Sequence, residues 1–178
     1  QTCALPISPE KYRRIMIVYV TGLEAKGLGG AMKKLMGGGK NAAESLKEKL
    51  EAKGFEVTLY ESPMDKIQKR IAAGEKVDFN IYFAGKDTIA DFVGAQDLII
   101  TLVDVAGGFQ AVARPGFGMT KGGGEIPWYV FELPVIVIGC QQPTILADIP
   151  QARTYINTYD SAPATLDVLV DEIGRAHV

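Results

Sequence analysis

The chain has 178 residues, of which 47% are hydrophobic and 22% charged, and its formal net charge is −2. This composition is typical of one globular domain with a core of its own. It argues against a nucleic-acid-binding surface, which needs clustered excess lysine and arginine. No uninterrupted apolar run approaches the roughly 20 residues that span a bilayer, so we predict neither a nucleic-acid partner nor a membrane partner.

Both ends of the chain, 1–7 and 173–178, can be translated from one short-read sequencing adapter read on opposite DNA strands. We therefore interpret them as scars and take 8–172 as the native domain, although 5–7 could be partly native. On this interpretation the chain is a fragment of a longer reading frame. Neighbouring sequence on both sides would then be missing.

Excluding the ends changes the chemistry that the chain can perform. The only histidine, His177, and one of the two cysteines, Cys3, lie in the excluded segments. The remainder cannot by itself form a histidine-based triad or a Cys/His zinc site, and we predict no metal and no cofactor. The other cysteine, Cys140, ends an apolar run and is interpreted as a buried small hydrophobic residue.

The first part of the chain has the pattern of a β-α-β unit. Residues 15–20 predict a first strand, and 55–60 alternate with a period of two and predict a second. Between them, Asn41 is followed three residues later by Glu44, which is the pattern of a capping box at the start of a helix. Gly54 supplies the left-handed residue that ends this helix.

Two glycine-rich stretches before that helix resemble nucleotide-binding motifs but fit them poorly. In 27–32, Met32 stands where the dinucleotide fingerprint needs its third small residue. In 34–41, Lys34 replaces the leading glycine of a phosphate loop, and Asn41 replaces the Ser or Thr that would hold magnesium. We interpret the triple glycine as a hinge before the helix.

The strongest strand signals are 97–105 and 134–141, which are almost continuously apolar and rich in β-branched residues. Strands of this kind lie at the centre of a parallel sheet whose two faces are covered by helices. Weaker patterns predict the remaining elements: helices over 64–73, 88–93 and 143–148, edge strands over 77–83 and 154–159, and a last helix capped by Ser161, with Pro163 in its first turn and Leu166, Leu169 and Val170 as its buried stripe. Together these predict an α/β fold, a three-layer α/β/α sandwich with a mostly parallel sheet of about five strands.

A long glycine-rich loop, 106–124, follows the first central strand. Parallel sheets collect their ligands beyond the carboxyl ends of their strands, and loops of this length are usually functional or disordered. Arg114 is the only guanidinium of this loop, and together with Gln110 it could bind a hydroxyl or carboxylate of a substrate; a solvated or structural role for Arg114 is the alternative. Trp128 and Tyr129 could stack on a sugar ring, but packing a helix against the sheet is the more common role of such residues. The loop contains no Asp or Glu, so we expect no proton-handling group at the mouth of the sheet.

The runs 97–102, 126–130, 133–138, 143–150 and 154–160, together with Arg114, resemble the C-terminal sandwich domain of family 3 glycoside hydrolases, in particular bacterial members of the β-N-acetylglucosaminidase type. The resemblance implies a retaining β-glycosidase acting on a carbohydrate substrate, with a (β/α)8 barrel earlier in the same polypeptide as the partner of this domain.

In this family the nucleophilic Asp belongs to the barrel, and in one branch a Glu of the sandwich domain supplies the acid/base. Because the loop 106–124 lacks carboxylates, the resemblance implies an acid/base in the barrel, and we assign no catalytic residue to this chain. Two other interpretations remain open. The chain could be a free-standing flavodoxin-like module that binds a small molecule or a nucleotide, or a purely structural partner with one large apolar patch.

Overall fold

The computed structural model describes residues 4–21, 40–61, 63–77, 89–105, 115, 119–120, 123–124 and 128–175. Its main sheet contains five parallel strands: β1 (Arg14–Thr21), β2 (Glu56–Leu59), β3 (Leu98–Asp104), β4 (Val135–Cys140) and β5 (Tyr155–Asn157). The strand order is β2-β1-β3-β4-β5. A two-residue antiparallel pairing joins Met119–Thr120 to Gly123–Gly124.

Helices and 3-10 helices connect these strands. The α-helices are α1 (Ala42–Ala52), α2 (Pro63–Ala72), α3 (Ile89–Ala95) and α4 (Pro163–Gly174), and the two 3-10 helices are Trp128–Phe131 and Pro143–Asp148. Among the described residues, no helix is both long and apolar enough to cross a bilayer.

The sheet has a core on each of its faces, as the continuous apolar strands predict. On one face, Ile100 and Leu102 of β3 pack with Leu46 of α1 and Leu166 of α4. On the other face, Val103 and its neighbours pack against the two 3-10 helices and α3. The predicted α/β sandwich with a parallel sheet of about five strands is confirmed.

Helix α1 begins and ends where the sequence predicts, whereas the triple glycine that we interpreted as a hinge lies outside the described residues. The side chain of Asn41 accepts a hydrogen bond from the backbone N–H of Glu44, the Glu44 carboxylate accepts one from the backbone N–H of Asn41, and both are 2.9 Å long. Gly54 has φ of +95° and lies two residues beyond the last helical residue. This reciprocal pairing satisfies two backbone donors that the first helical turn would otherwise leave without partners.

The last helix begins differently from the prediction. Ser161 does not cap α4, because the N-cap is Ala162, which makes no side-chain capping bond. The Ser161 hydroxyl instead donates to Oδ2 of Asp104 over 2.9 Å. The capping assignment of Ser161 was therefore wrong, whereas Pro163 in the first turn is confirmed. The predicted buried stripe of Leu166, Leu169 and Val170 is also confirmed, and Ile173 is a fourth buried residue of this helix.

Other predicted elements differ at their ends or lie outside the described residues. The helix over 143–148 is a 3-10 helix, and the edge strand predicted over 154–159 is limited to Tyr155–Asn157. The edge strand predicted over 77–83 lies outside the described residues from 78 onward.

Parts of the two excluded ends pack against the domain. Ile7 and Ile173 are buried in the same core cluster, and the Ile7 N–H donates to the Ile173 carbonyl oxygen over 2.9 Å. Burial does not depend on the origin of a residue, so the interpretation of the ends as adapter-derived, with 8–172 as the native domain, stays a prediction.

Candidate functional site

The carboxyl ends of the five parallel strands define one edge of the sheet, which we call the carboxyl edge. β1 ends there at Thr21, β3 at Asp104, β4 at Cys140 and β5 at Asn157. Open α/β sheets bind their ligands at this edge, because the loops that leave the strands there are free to form a crevice. The carboxyl edge is therefore the candidate functional site.

The carboxylate of Asp104 holds three segments together at this edge. Its Oδ2 accepts hydrogen bonds from the hydroxyl of Ser161 at 2.9 Å and from that of Tyr19 at 3.2 Å, and its Oδ1 accepts one from the side-chain amide of Gln141 at 3.1 Å. The donors come from β1, from the residue after β4 and from the turn before α4. With donors on both oxygens, the carboxylate is fixed in one orientation.

Two neighbouring groups of this network remain protonated. Burial, and secondarily the negative charge of Asp104, raises the pKa of the Tyr19 phenol, so Tyr19 acts as a hydrogen-bond donor. Burial also raises the pKa of the Cys140 thiol to about 11. Because a thiol of this kind is neither exposed nor ionised near neutral pH, Cys140 is not a nucleophile, and its predicted role as a buried small residue is confirmed.

The backbone is strained at two positions of the carboxyl edge. Gln141, directly after β4, has φ of 76°, and Tyr159, two residues after β5, has φ of 63°. This left-handed conformation is uncommon for residues other than glycine, and for a bulky side chain it is an outlier. Such outliers cluster at ligand-binding sites, where the surrounding structure holds them in place.

On the face of the sheet that carries Val103, the end of β5 has buried polar side-chain atoms. The Tyr155 hydroxyl and both polar side-chain atoms of Asn157 are buried and have no hydrogen-bond partner in the part of the chain that the structure describes. Burial raises the pKa of Tyr155. The Tyr155 hydroxyl lies so close to Gly139 that a Cβ placed there would be 2.2 Å from it. A side chain at this position of β4 would therefore require the Tyr155 ring to move.

Gln110 and Arg114, which the sequence predicts to bind substrate, lie outside the described residues. The side chain of Trp128 is outside them too. Tyr129 is buried, shares a 3.0 Å hydrogen bond with Thr101 and stacks on Phe92 with ring centroids 6.2 Å apart. Of the two alternatives for Tyr129, packing between a helix and the sheet is confirmed.

Two residues of the site were missed in the sequence. Asp104 is the polar residue that closes the apolar run of β3, and this signal was overlooked because carboxylates were sought in the loop that follows. Asp104 precedes the loop 106–124 on which the expectation of no proton-handling group rested, so that expectation stays a prediction. Tyr159 gave no signal, since a positive φ cannot be read from a tyrosine in a sequence. Among the described residues, no group of three or more His, Cys, Asp or Glu is arranged to hold a metal ion.

Comparisons with known proteins give a relative in sequence and similar solved structures. No family model matches the chain. A β-N-acetylglucosaminidase/β-glucosidase of Cellulomonas fimi is 32% identical over 81 residues, which are 45% of this chain and 14% of that protein. The solved structure of a β-glucoside phosphorylase, BglX, is similar with a TM-score of 0.66 and 23% identity, over 98% of this chain and 26% of that one. The structure of BglX bound to 2FGlc gives a TM-score of 0.65 at 24% identity.

These likenesses concern a part of each relative. The chain spans about a seventh of the length of the Cellulomonas fimi protein and about a quarter of that of BglX. At 23–24% identity the likeness to BglX shows the fold alone. The Cellulomonas fimi protein adds a similarity in sequence, 32% identity over 81 residues. The predicted resemblance to a domain of the family 3 glycoside hydrolases is confirmed on these two grounds.

Proposed function

We propose that this chain is the C-terminal α/β sandwich domain of a retaining β-glycosidase of the family 3 kind, close in type to β-N-acetylhexosaminidases. In this proposal the domain packs on a (β/α)8 barrel of the same polypeptide and completes its carbohydrate-binding cleft. The observation that carries the proposal is the 32% identity to a β-N-acetylglucosaminidase/β-glucosidase, together with a fold that matches 98% of this chain to only 26% of BglX. Because this chain matches only about a quarter of BglX, a protein as long as BglX has room for a further domain.

The carboxylates of the carboxyl edge favour a supporting role over a catalytic one. Retaining hydrolysis needs a nucleophilic carboxylate and a proton-donating group about 5 Å apart. Asp104 is fixed by three hydrogen bonds from its own domain. Hydrogen bonds from the Thr165 side chain and the Ala162 backbone lower the pKa of Asp160, which makes it a poor proton donor. We therefore place the catalytic pair in the barrel.

The long loop after β3 supplies the contacts to substrate in this proposal. Gln110 and Arg114 would bind sugar hydroxyls from this loop, since an amide and a guanidinium offer several hydrogen bonds in fixed directions. The loop leaves the sheet at the carboxyl edge, directly after Asp104. Its position along the chain thus supports a role at the cleft.

Turnover by the purified chain tests this proposal. The chain is incubated with an aryl β-glucoside and an aryl N-acetyl-β-glucosaminide, with a complete glycosidase as the positive control. We expect no release of the aryl group, because nucleophile and acid/base are in the barrel. Hydrolysis by the chain alone would contradict the proposal.

A second measurement separates this proposal from the flavodoxin-like alternative. Isothermal titration with a flavin and with a nucleoside triphosphate should give no heat of binding. Saturable heat with either ligand would favour a free-standing binding module instead.

A further inference from the structure

The turn that joins β5 to α4 is held by hydrogen bonds along its length. The Thr158 N–H donates to the Gly139 carbonyl oxygen over 3.0 Å, and the Thr158 hydroxyl donates to the carbonyl oxygen of Asp160 over 2.7 Å. The Ala162 N–H then donates to Oδ1 of Asp160 over 2.8 Å. This turn is thus tied both to β4 and to itself.

Ser161, in the same turn, is anchored to β3, which lies on the far side of β4. Ser161 donates to Asp104, which also holds Gln141. Anchored residues therefore flank Tyr159 on both sides, and its backbone is fixed in the left-handed region at φ of 63°. The turn is a rigid support rather than a loose connection.

The ring of Tyr159 lies in solvent although the chain constrains its backbone. Tyr159 is 67% exposed, so the aromatic ring contributes little to the core. Glycine or asparagine would adopt the same backbone with less steric cost, so the fold alone does not call for a tyrosine here. Strain, rigidity and an exposed ring at the ligand-binding edge of a parallel sheet together indicate contact with a ligand.

We infer that Tyr159 is a carbohydrate-binding residue that stacks on the apolar face of a β-linked glucosyl or N-acetylglucosaminyl ring. This inference rests on the proposed function, which brings a sugar to the carboxyl edge. An aromatic ring covers the C–H face of a pyranose and leaves the hydroxyls at the rim of the sugar free for polar partners. Gln141 and Asp104 form the polar network beside this turn and act as positioning residues.

Sugar binding to the purified chain tests the inference. Saturation-transfer NMR is recorded with methyl β-glucoside and methyl N-acetyl-β-glucosaminide for the wild type and for Tyr159→Phe, Tyr159→Asn and Phe131→Ala. We expect saturation transfer to the C–H protons of one of the sugars in the wild type, unchanged binding for Tyr159→Phe, and a loss of about tenfold in affinity for Tyr159→Asn. Asparagine tolerates the left-handed backbone and therefore removes the ring while keeping the turn.

Phe131→Ala is the matched control, since Phe131 is 65% exposed but lies in the 3-10 helix before β4. It should bind sugar as the wild type does. The inference is overturned if the wild type shows no saturation transfer to either sugar, if Tyr159→Asn binds normally, or if Phe131→Ala loses as much affinity. The proposed function fails on a different readout, hydrolysis by the isolated chain, so the two failures are distinguishable.

Discussion

At the scale of single residues, the Asp104 carboxylate connects segments that are far apart in the chain. Tyr19 and Ser161 bond to the same oxygen of Asp104, although they lie 85 and 57 residues from it. A sequence pattern built on near neighbours cannot reveal such a partner. It does reveal Cys140 as a buried residue, because burial follows directly from the apolar run around it.

Replacing Asp104 by asparagine should lower the free energy of unfolding by about 1–3 kcal/mol. The amide offers one oxygen in place of two and turns an NH2 group toward a donor. Urea denaturation measures the change. Asp167→Asn is the control, because the side chain of Asp167 is 63% exposed and its ion pair with Lys49 lies at the surface, where we expect a loss of less than about 1 kcal/mol. Equal effects of the two variants would contradict the role given to Asp104.

Gly139 offers a second test at this scale. Gly139→Ala places a Cβ 2.2 Å from the Tyr155 hydroxyl, so the ring must move, and we expect a loss of about 1–3 kcal/mol. Adding Tyr155→Phe should recover part of this loss, because the closest atom is then removed. Gly94→Ala meets no atom within 4 Å in α3 and should stabilise the domain by up to about 1 kcal/mol. Thermal unfolding of the variants distinguishes the expected loss of stability in Gly139→Ala from the expected gain in Gly94→Ala.

At the scale of the elements, local patterns predict correctly what local contacts decide. The capping box of α1 involves residues three apart, so Asn41 and Glu44 predicted it from sequence alone. The cap of α4 was predicted by the same rule and failed, because the N-cap is Ala162 and the Ser161 hydroxyl donates to Asp104 of β3. A cap would use the Ser161 oxygen as the acceptor of a helical N–H, whereas here the hydroxyl is the donor to a carboxylate of a distant strand, a partner that a local pattern cannot show.

Asp97 and Arg14 fix β1 against β3 at the edge opposite the candidate site. The backbone N–H of Arg14 donates to Oδ2 of Asp97 over 2.8 Å, and the guanidinium Nη2 of Arg14 donates to Oδ1 over 2.7 Å. The Arg14 side chain is the largest cause that lowers the pKa of Asp97. A carboxyl whose pKa is lower in the folded state than in the unfolded chain contributes stability above its unfolded pKa, about 3.9, and loses it as the pH falls through the folded value.

The pH dependence of unfolding tests this pairing. We expect the wild type to exceed Asp97→Asn in urea midpoint at pH 7 and the difference to shrink as the pH falls below about 4. Arg14→Gln should remove most of the same pH dependence while keeping the backbone hydrogen bond. A difference between wild type and Asp97→Asn that stays constant down to pH 2 would show that the ion pair does not contribute.

At the scale of the whole molecule, the sandwich was predictable because two continuous apolar strands require a cover on both sheet faces. Every residue of β3 except Asp104 is buried, as that argument demands. The residues proposed to bind substrate were not predictable to the same degree. The loop residues Gln110 and Arg114 were chosen by residue type, whereas the ring of Tyr159 was found only through its backbone conformation and exposure.

The domain also shows how sequence and fold carry different amounts of information. Similarity in sequence to the Cellulomonas fimi protein extends over 45% of the chain, whereas similarity in fold to BglX extends over 98%. The two-sided core explains the difference, because many apolar combinations of similar volume fill the same layers. In the function proposed above, the catalytic pair lies in a barrel and this domain works together with it.

The coding sequence that precedes this chain in its source DNA is the most direct test of that description. We predict that it encodes, in the same reading frame, a (β/α)8 barrel with a carboxylate nucleophile and a separate proton donor. A complete gene that contains this domain and no such barrel would contradict the account.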